Sequence, residues 1–189
     1  AETGKIVAQV STFTWRDVKV VCPSLEIDTK TQEARSKGKI DISWSNFKVQ
    51  AQSLYYQGSG NRLDVSGIEG SNPEMRFSTG EAHFDFNQKK LYLTSSPLLV
   101  LRGWEVRAQN IEYSLEEKVW EAQTVTINKE DWQGGAQKAF YREGDDFITL
   151  EGGAEVQGDK NLLRGEKIFI YLDSGRVKVE GNVEIELVP

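Results

Sequence analysis

The chain has 189 residues, 38% hydrophobic and 28% charged, with a net charge of −6 at pH 7. That length can bury a full core within one domain, and that balance excludes a disordered chain. Its basic residues are scattered, so no positive stripe is offered to a nucleic-acid backbone and nucleic acid is excluded as a partner.

No apolar run nears the ~20 residues of a membrane-spanning helix; the longest, Pro97 to Leu101, is strand-sized. Ala1-Glu2-Thr3-Gly4-Lys5 lacks the apolar stretch of a leader, as expected of a mature, exported form. The single cysteine, Cys22, rules out an internal disulfide.

From the amino terminus onward, β-branched and aromatic residues alternate with polar ones over short runs, the period of a strand. One pattern recurs: two alternating apolar positions, a small residue, a gap of three, and two more apolar positions. Its copies are Val18, Val20, Cys22, Leu25, Ile27; then Phe47, Val49, Ala51, Leu54, Tyr56; then Met75, Phe77, Glu81, Phe84, Phe86. Next come Trp104, Val106, Ala108, Ile111, Tyr113, then Trp132, Gly134, Ala136, Ala139, Tyr141, and last Leu163, Gly165, Ile168, Ile170. The small slot falls at 22, 51, 81, 108, 136 and 165, so about six copies repeat every 27–30 residues. Each ends in a turn, such as Gly58 to Asn61, Asn87 to Lys89 or Asp173 to Gly175, and a return strand.

Side chains change face at every step of a strand, so an odd gap would turn the second apolar pair outward. Keeping both pairs inward requires a bend at the slot, where a small residue leaves room for crowded backbone. The expectation is one all-β domain over residues 1–189, an open, twisted roll of antiparallel hairpins with an apolar interior. At ~4.8 Å between strands, six hairpins would extend about 55–60 Å.

Chemistry is sparse. His83, the only histidine, lies in Ala82-His83-Phe84-Asp85-Phe86, where alternation turns Phe84 and Phe86 inward and His83 outward. One histidine and one cysteine in different copies make no structural zinc site, and Cys22 reads as a small packing residue. The carboxylate pairs Glu116-Glu117 and Asp145-Asp146 sit in turns, where solvation explains them without an acid/base pair. Of the five tryptophans, Trp104 and Trp132 take repeat positions and read as core.

The carboxy-terminal third has a more specific pattern. Phe147 to Val156 includes Leu150-Glu151-Gly152-Gly153-Ala154, followed by Leu163-Arg164-Gly165-Glu166-Lys167-Ile168, Asp173-Ser174-Gly175-Arg176-Val177 and Glu180-Gly181-Asn182-Val183. This resembles the OstA-like family of periplasmic lipopolysaccharide-transport proteins, which includes LptA, LptC and the amino-terminal part of LptD. The close match spans residues 147 to 187, and the looser repeat nearly the whole chain. No amino-terminal membrane helix of the LptC kind is present, so an LptA type is expected.

The resemblance implies an open β-jellyroll, no enzymatic activity, no cofactor, and an apolar groove that holds acyl chains. The repeat positions Leu54, Tyr56, Phe84, Phe86, Ile111, Tyr113, Tyr141, Ile168 and Ile170 are the expected groove lining. Copies of such proteins join end to end, or to other OstA-like domains, through edge strands. The last strand, with Val179, Val183, Ile185 and Leu187 on one face, is the candidate edge. Pro189 and the outward Glu180, Glu184 and Glu186 blunt that edge, so association should be weak. The competing expectation is a structural or adhesive β-repeat protein whose interior is simply a packed core.

Overall fold

The computed structural model describes residues 4–15, 18–44, 46–158 and 161–187. Val188 and Pro189, expected to end the edge strand, lie outside the described residues. Two compact units divide the chain, Ala1–Thr94 and Ser95–Pro189.

The first unit is an antiparallel meander in which each strand pairs with the next. Its strands are β1 (Lys5–Trp15), β2 (Val18–Asp28), β3 (Glu33–Trp44), β4 (Phe47–Gln57), β5 (Arg62–Ser71), β6 (Met75–Asp85) and β7 (Lys90–Thr94). Local side chains fix the hairpin ends. The Asp28 carboxylate accepts N–H bonds from Lys30 and Thr31, which hold its pKa below the ordinary value. Asp85 does the same with Asn87 and Gln88. Gln32, Asn61 and Lys89 then close these turns in the left-handed region.

The second unit holds β8 (Leu98–Leu101), β9 (Trp104–Arg107), β10 (Asn110–Ser114), β11 (Val119–Lys129), β12 (Trp132–Arg142), β13 (Phe147–Gly158), β14 (Asn161–Tyr171), β15 (Val177–Glu180) and β16 (Glu184–Leu187). Strands β10 to β15 pair in sequence order. β9 and β10 are two halves of one strand, broken at the slot residue Ala108, and both pair with β11. β15 and β16 likewise share β14. Outward, opposite charges meet across strands: Lys138 Nζ lies 2.8 Å from Glu121, and Lys167 Nζ 2.6 Å from Glu151.

The face switch is seen in strand after strand. Cys22 and Leu25, Ala51 and Leu54, Val65 and Ile68, Thr79 and Ala82, and Ala122 and Val125 are buried pairs three residues apart. In β3 and β13 the spacing grows to four, at Ser36/Ile40 and Leu150/Ala154, and the ladder shifts register there.

The left-handed residue that makes the bend is not in the expected slot. It lies on the preceding strand or connection, at Val10, Gly38, Gly67, Ser95/Ser96, Thr124, Gly152/Gly153 and Gly181/Asn182. Successive members are 28 or 29 residues apart. The slot residue needs to be small because it pairs next to that distortion: Cys22 faces Ser11, and Gly165 faces Ala154.

Val179 to Leu187, expected as one strand, is interrupted for the same reason. Gly181 at φ 70° and Asn182 at φ 41° end β15 before β16 begins. The fold is all-β, an open β-jellyroll of antiparallel hairpins.

Candidate functional site

Unit 1 encloses an apolar cavity of ≈ 70 Å³ that presents no polar surface. Its walls come from inward positions of β2 to β7, among them Ile42, Trp44, Leu63, Phe77, Phe84 and Leu93. The rings contact one another: Trp44 stacks on Phe47 at 5.7 Å, and Phe84 meets Phe86 edge-on at 4.5 Å. Tyr56 meets Phe86 edge-on at 6.2 Å. Val18, Trp44, Val49, Phe84 and Leu91 are only half-buried, so the cavity opens to solvent on that side.

The inward side chains of unit 2 are more deeply buried. Trp104, Trp120, Leu101, Ile111, Ile127 and Leu172 are each 2% exposed or less. Tyr113 stacks on Trp120 at 4.3 Å and donates its hydroxyl to Glu143 at 2.9 Å. Burial, then that hydrogen bond, raises the phenol pKa well above its ordinary value. One end of this core is closed by Lys129, whose amine donates to the carbonyls of Arg102 and Leu172 and lies over the Trp104 ring. An exposed ion pair, Arg102 to Asp173 at 2.8 Å, lies beside it.

The expected groove residues therefore divide. Phe84 and Phe86 line the unit 1 cavity, with Leu54 buried and Tyr56 half-buried in the same unit. Ile111, Tyr113, Tyr141, Ile168 and Ile170 are packed in the core of unit 2. Of the expected edge residues, Val179 is half-buried on β15, whereas Val183, Ile185 and Leu187 are exposed. At the other end of the chain β1 exposes Ile6, Val7 and Val10. Sequence reasoning missed Trp44, Val18 and Ile42 as cavity walls, although Val18 held a repeat position.

Cys22 is buried, as expected of a packing residue. His83 is turned outward as expected, but half-buried and stacked on Tyr92 at 4.6 Å. Among the described residues no three His, Cys, Asp or Glu side chains group as metal ligands, and no helix is long and apolar enough to cross a membrane.

The described residues form a jellyroll of repeated antiparallel hairpins, with an apolar hollow in unit 1. The chain belongs to the LptA/(LptD N-terminal domain) LPS transport protein family, whose model matches residues 19–176, across both units. Among solved structures it is similar to LptH from Pseudomonas aeruginosa, described as the LptA homologous periplasmic component of the conserved lipopolysaccharide transport device. That likeness has 14% identity and a TM-score of 0.30, and covers 91% of this chain and 95% of LptH. No curated protein matches the chain.

Proposed function

We propose that the protein holds the acyl chains of lipopolysaccharide, or of a similar amphipathic lipid, in the unit 1 cavity and passes them across the periplasm towards the outer membrane. The observation that carries this reading is the wholly apolar, solvent-open hollow beside Trp44, Phe84 and Leu91. A soluble protein normally fills such space, because a lined void forfeits dispersion contacts. Each methylene taken from water contributes ~0.8 kcal/mol, so six give about 5 kcal/mol gross.

A cavity of ≈ 70 Å³ is about half the ~150 Å³ of an apolar cavity that holds one benzene. Entry of a chain therefore requires the half-exposed rings to swing aside. The repeat period runs through both units, which supports reading residues 1–189 as one functional domain. The exposed apolar residues of β1 and β16 support weak head-to-tail association, with a second copy or another OstA-like domain. Such a carrier uses no catalytic group and no cofactor.

The deeply buried core of unit 2 favours a second reading, a structural β-repeat protein without cargo. Mass spectrometry of organic extracts decides between them. Protein purified from a lipopolysaccharide-producing host should release acyl lipid, and folded Phe84→Asp should release none. A lipid-free parent, or equal release by the variant, removes the carrier reading. Association is read separately by light scattering, where Glu184→Pro should weaken it.

A further inference from the structure

The outward face of unit 1 carries a second hollow, of ≈ 290 Å³, on β4 to β7. Alternation separates it from the apolar cavity: Leu63 and Phe84 line the inner one, Asp64 and His83 the outer one. Two cross-strand rows build it. Tyr55 pairs with Asp64, Asp64 with His83 and His83 with Tyr92. Beside them Ser53 pairs with Ser66, Ser66 with Glu81 and Glu81 with Thr94.

The ring groups are held in place. Tyr92 backs the His83 imidazole, with the two planes only 17° apart. The Arg35 guanidinium lies 4.8 Å from the centre of the Tyr55 ring. Hydroxyls and carboxylates supply the rest, including the Ser53–Ser66 pair at 2.6 Å.

The lining chemistry narrows the ligand. Arg62 is the only cation among the lining residues, and it is engaged by Asp64 at 2.6 Å. With Glu81 also present, the lining carries two carboxylates to one guanidinium, a balance that disfavours a phosphate or a carboxylate. No group of metal ligands lies among the described residues, and the polar walls disfavour an apolar guest. Burial is the largest cause lowering the His83 pKa, which keeps the ring neutral at pH 7 and able both to donate and to accept.

What fits is a neutral polyhydroxyl ring, with hydroxyls for Ser53, Ser66, Asp64 and Glu81 and a C–H face for Tyr55 and His83. The geometry points to this outward hollow as a binding site for a neutral saccharide, one or two pyranose units long. It lies apart from the acyl site, so either can fail without the other.

His83 is the chain's only histidine, so its imidazole C–H signals in NMR are a single reporter. Maltose and N,N′-diacetylchitobiose are titrated into the full chain over the millimolar range at pH 7. One of them should shift the His83 signals saturably, and Asp64→Asn should weaken that binding about tenfold, the loss expected for one charge-assisted hydrogen bond. Tyr55→Ala should also weaken it, and Asp64→Asn covers the case in which that variant folds poorly. No saturable shift with either sugar overturns the site. So does a shift unchanged in folded Asp64→Asn, or saturable binding of inorganic phosphate in place of sugar.

Discussion

Val10 and Gly38 hold the same place in successive copies of the repeat, and both backbones are left-handed, at φ 43° and 103°. Glycine occupies that conformation without strain. A β-branched residue does so at a cost of roughly 1–3 kcal/mol.

Val10→Gly should therefore stabilise unit 1 by about 0.5–1 kcal/mol, after the entropy that glycine adds to the unfolded chain. Gly153→Ala is the converse. At φ 61° with no atom within 4 Å of an added Cβ, it tests backbone strain without crowding and should cost about 1–2 kcal/mol. Urea midpoints at constant slope are the measurement. A gain from Gly153→Ala would mean that the bend tolerates ordinary residues.

Phe84 and Ile111 hold equivalent positions in their copies and should behave differently. Phe84→Asp alters a half-exposed wall, so the protein should stay folded and lose uptake of a fluorescent apolar probe. Ile111 is 1% exposed, and a charge there has no partner. Ile111→Glu should lose at least ~3 kcal/mol and unfold unit 2. Circular dichroism beside probe titration separates the outcomes. A folded Ile111→Glu with normal probe uptake would place no functional weight on unit 2, and normal uptake by Phe84→Asp would move the site elsewhere.

Lys129 should matter more than a surface lysine. Lys129→Met leaves the carbonyls of Arg102 and Leu172 without their amine and removes the cation over Trp104. A loss of about 1–2 kcal/mol is expected. Exchange of the amide protons of β8 and β14 should quicken with it, and unchanged exchange would show that the apolar contacts alone close that end.

Two groups should contribute to the pH dependence of stability, with opposite signs. Burial lowers the folded-state pKa of His83, so the unfolded chain binds its proton more tightly. That contribution to stability is whole above about pH 6.5 and falls away as the solution is acidified towards the folded value. Tyr113 has the opposite sign for an acid. Its raised pKa makes stability decline once pH exceeds about 10, where the unfolded phenol ionises first. Denaturation midpoints across pH should show a shallower acid limb in His83→Gln and a shallower alkaline limb in Tyr113→Phe. Limbs unchanged by these substitutions would assign them to other groups.

The repeat was legible because face alternation and its regular interruption are both written in residue type. Val20, Cys22 and Leu25 announce the switch without any coordinates. The residue that executes the bend was harder to place, since Val10 and Thr124 give no compositional hint of left-handed backbone. Gly181-Asn182 did carry the hint, but the alternation around it read as one continuous strand. Depth of burial was not legible at all. Phe84 and Ile111 occupy the same pattern position, yet Phe84 stays half-exposed, whereas Ile111 is buried on the strand beside that of Trp120. The outward hollow was equally hidden, because Tyr55, Asp64, His83 and Tyr92 meet only through register.

The recurrence of one bend every 28 or 29 residues makes the length of this fold an integer quantity. Excising the chain from one left-handed residue to the next rejoins like to like, and every remaining side chain keeps its face. Removing an odd number from within a strand turns the apolar row beyond it towards water. Natural variation should therefore come in whole copies, with odd-sized insertions confined to the hairpin turns.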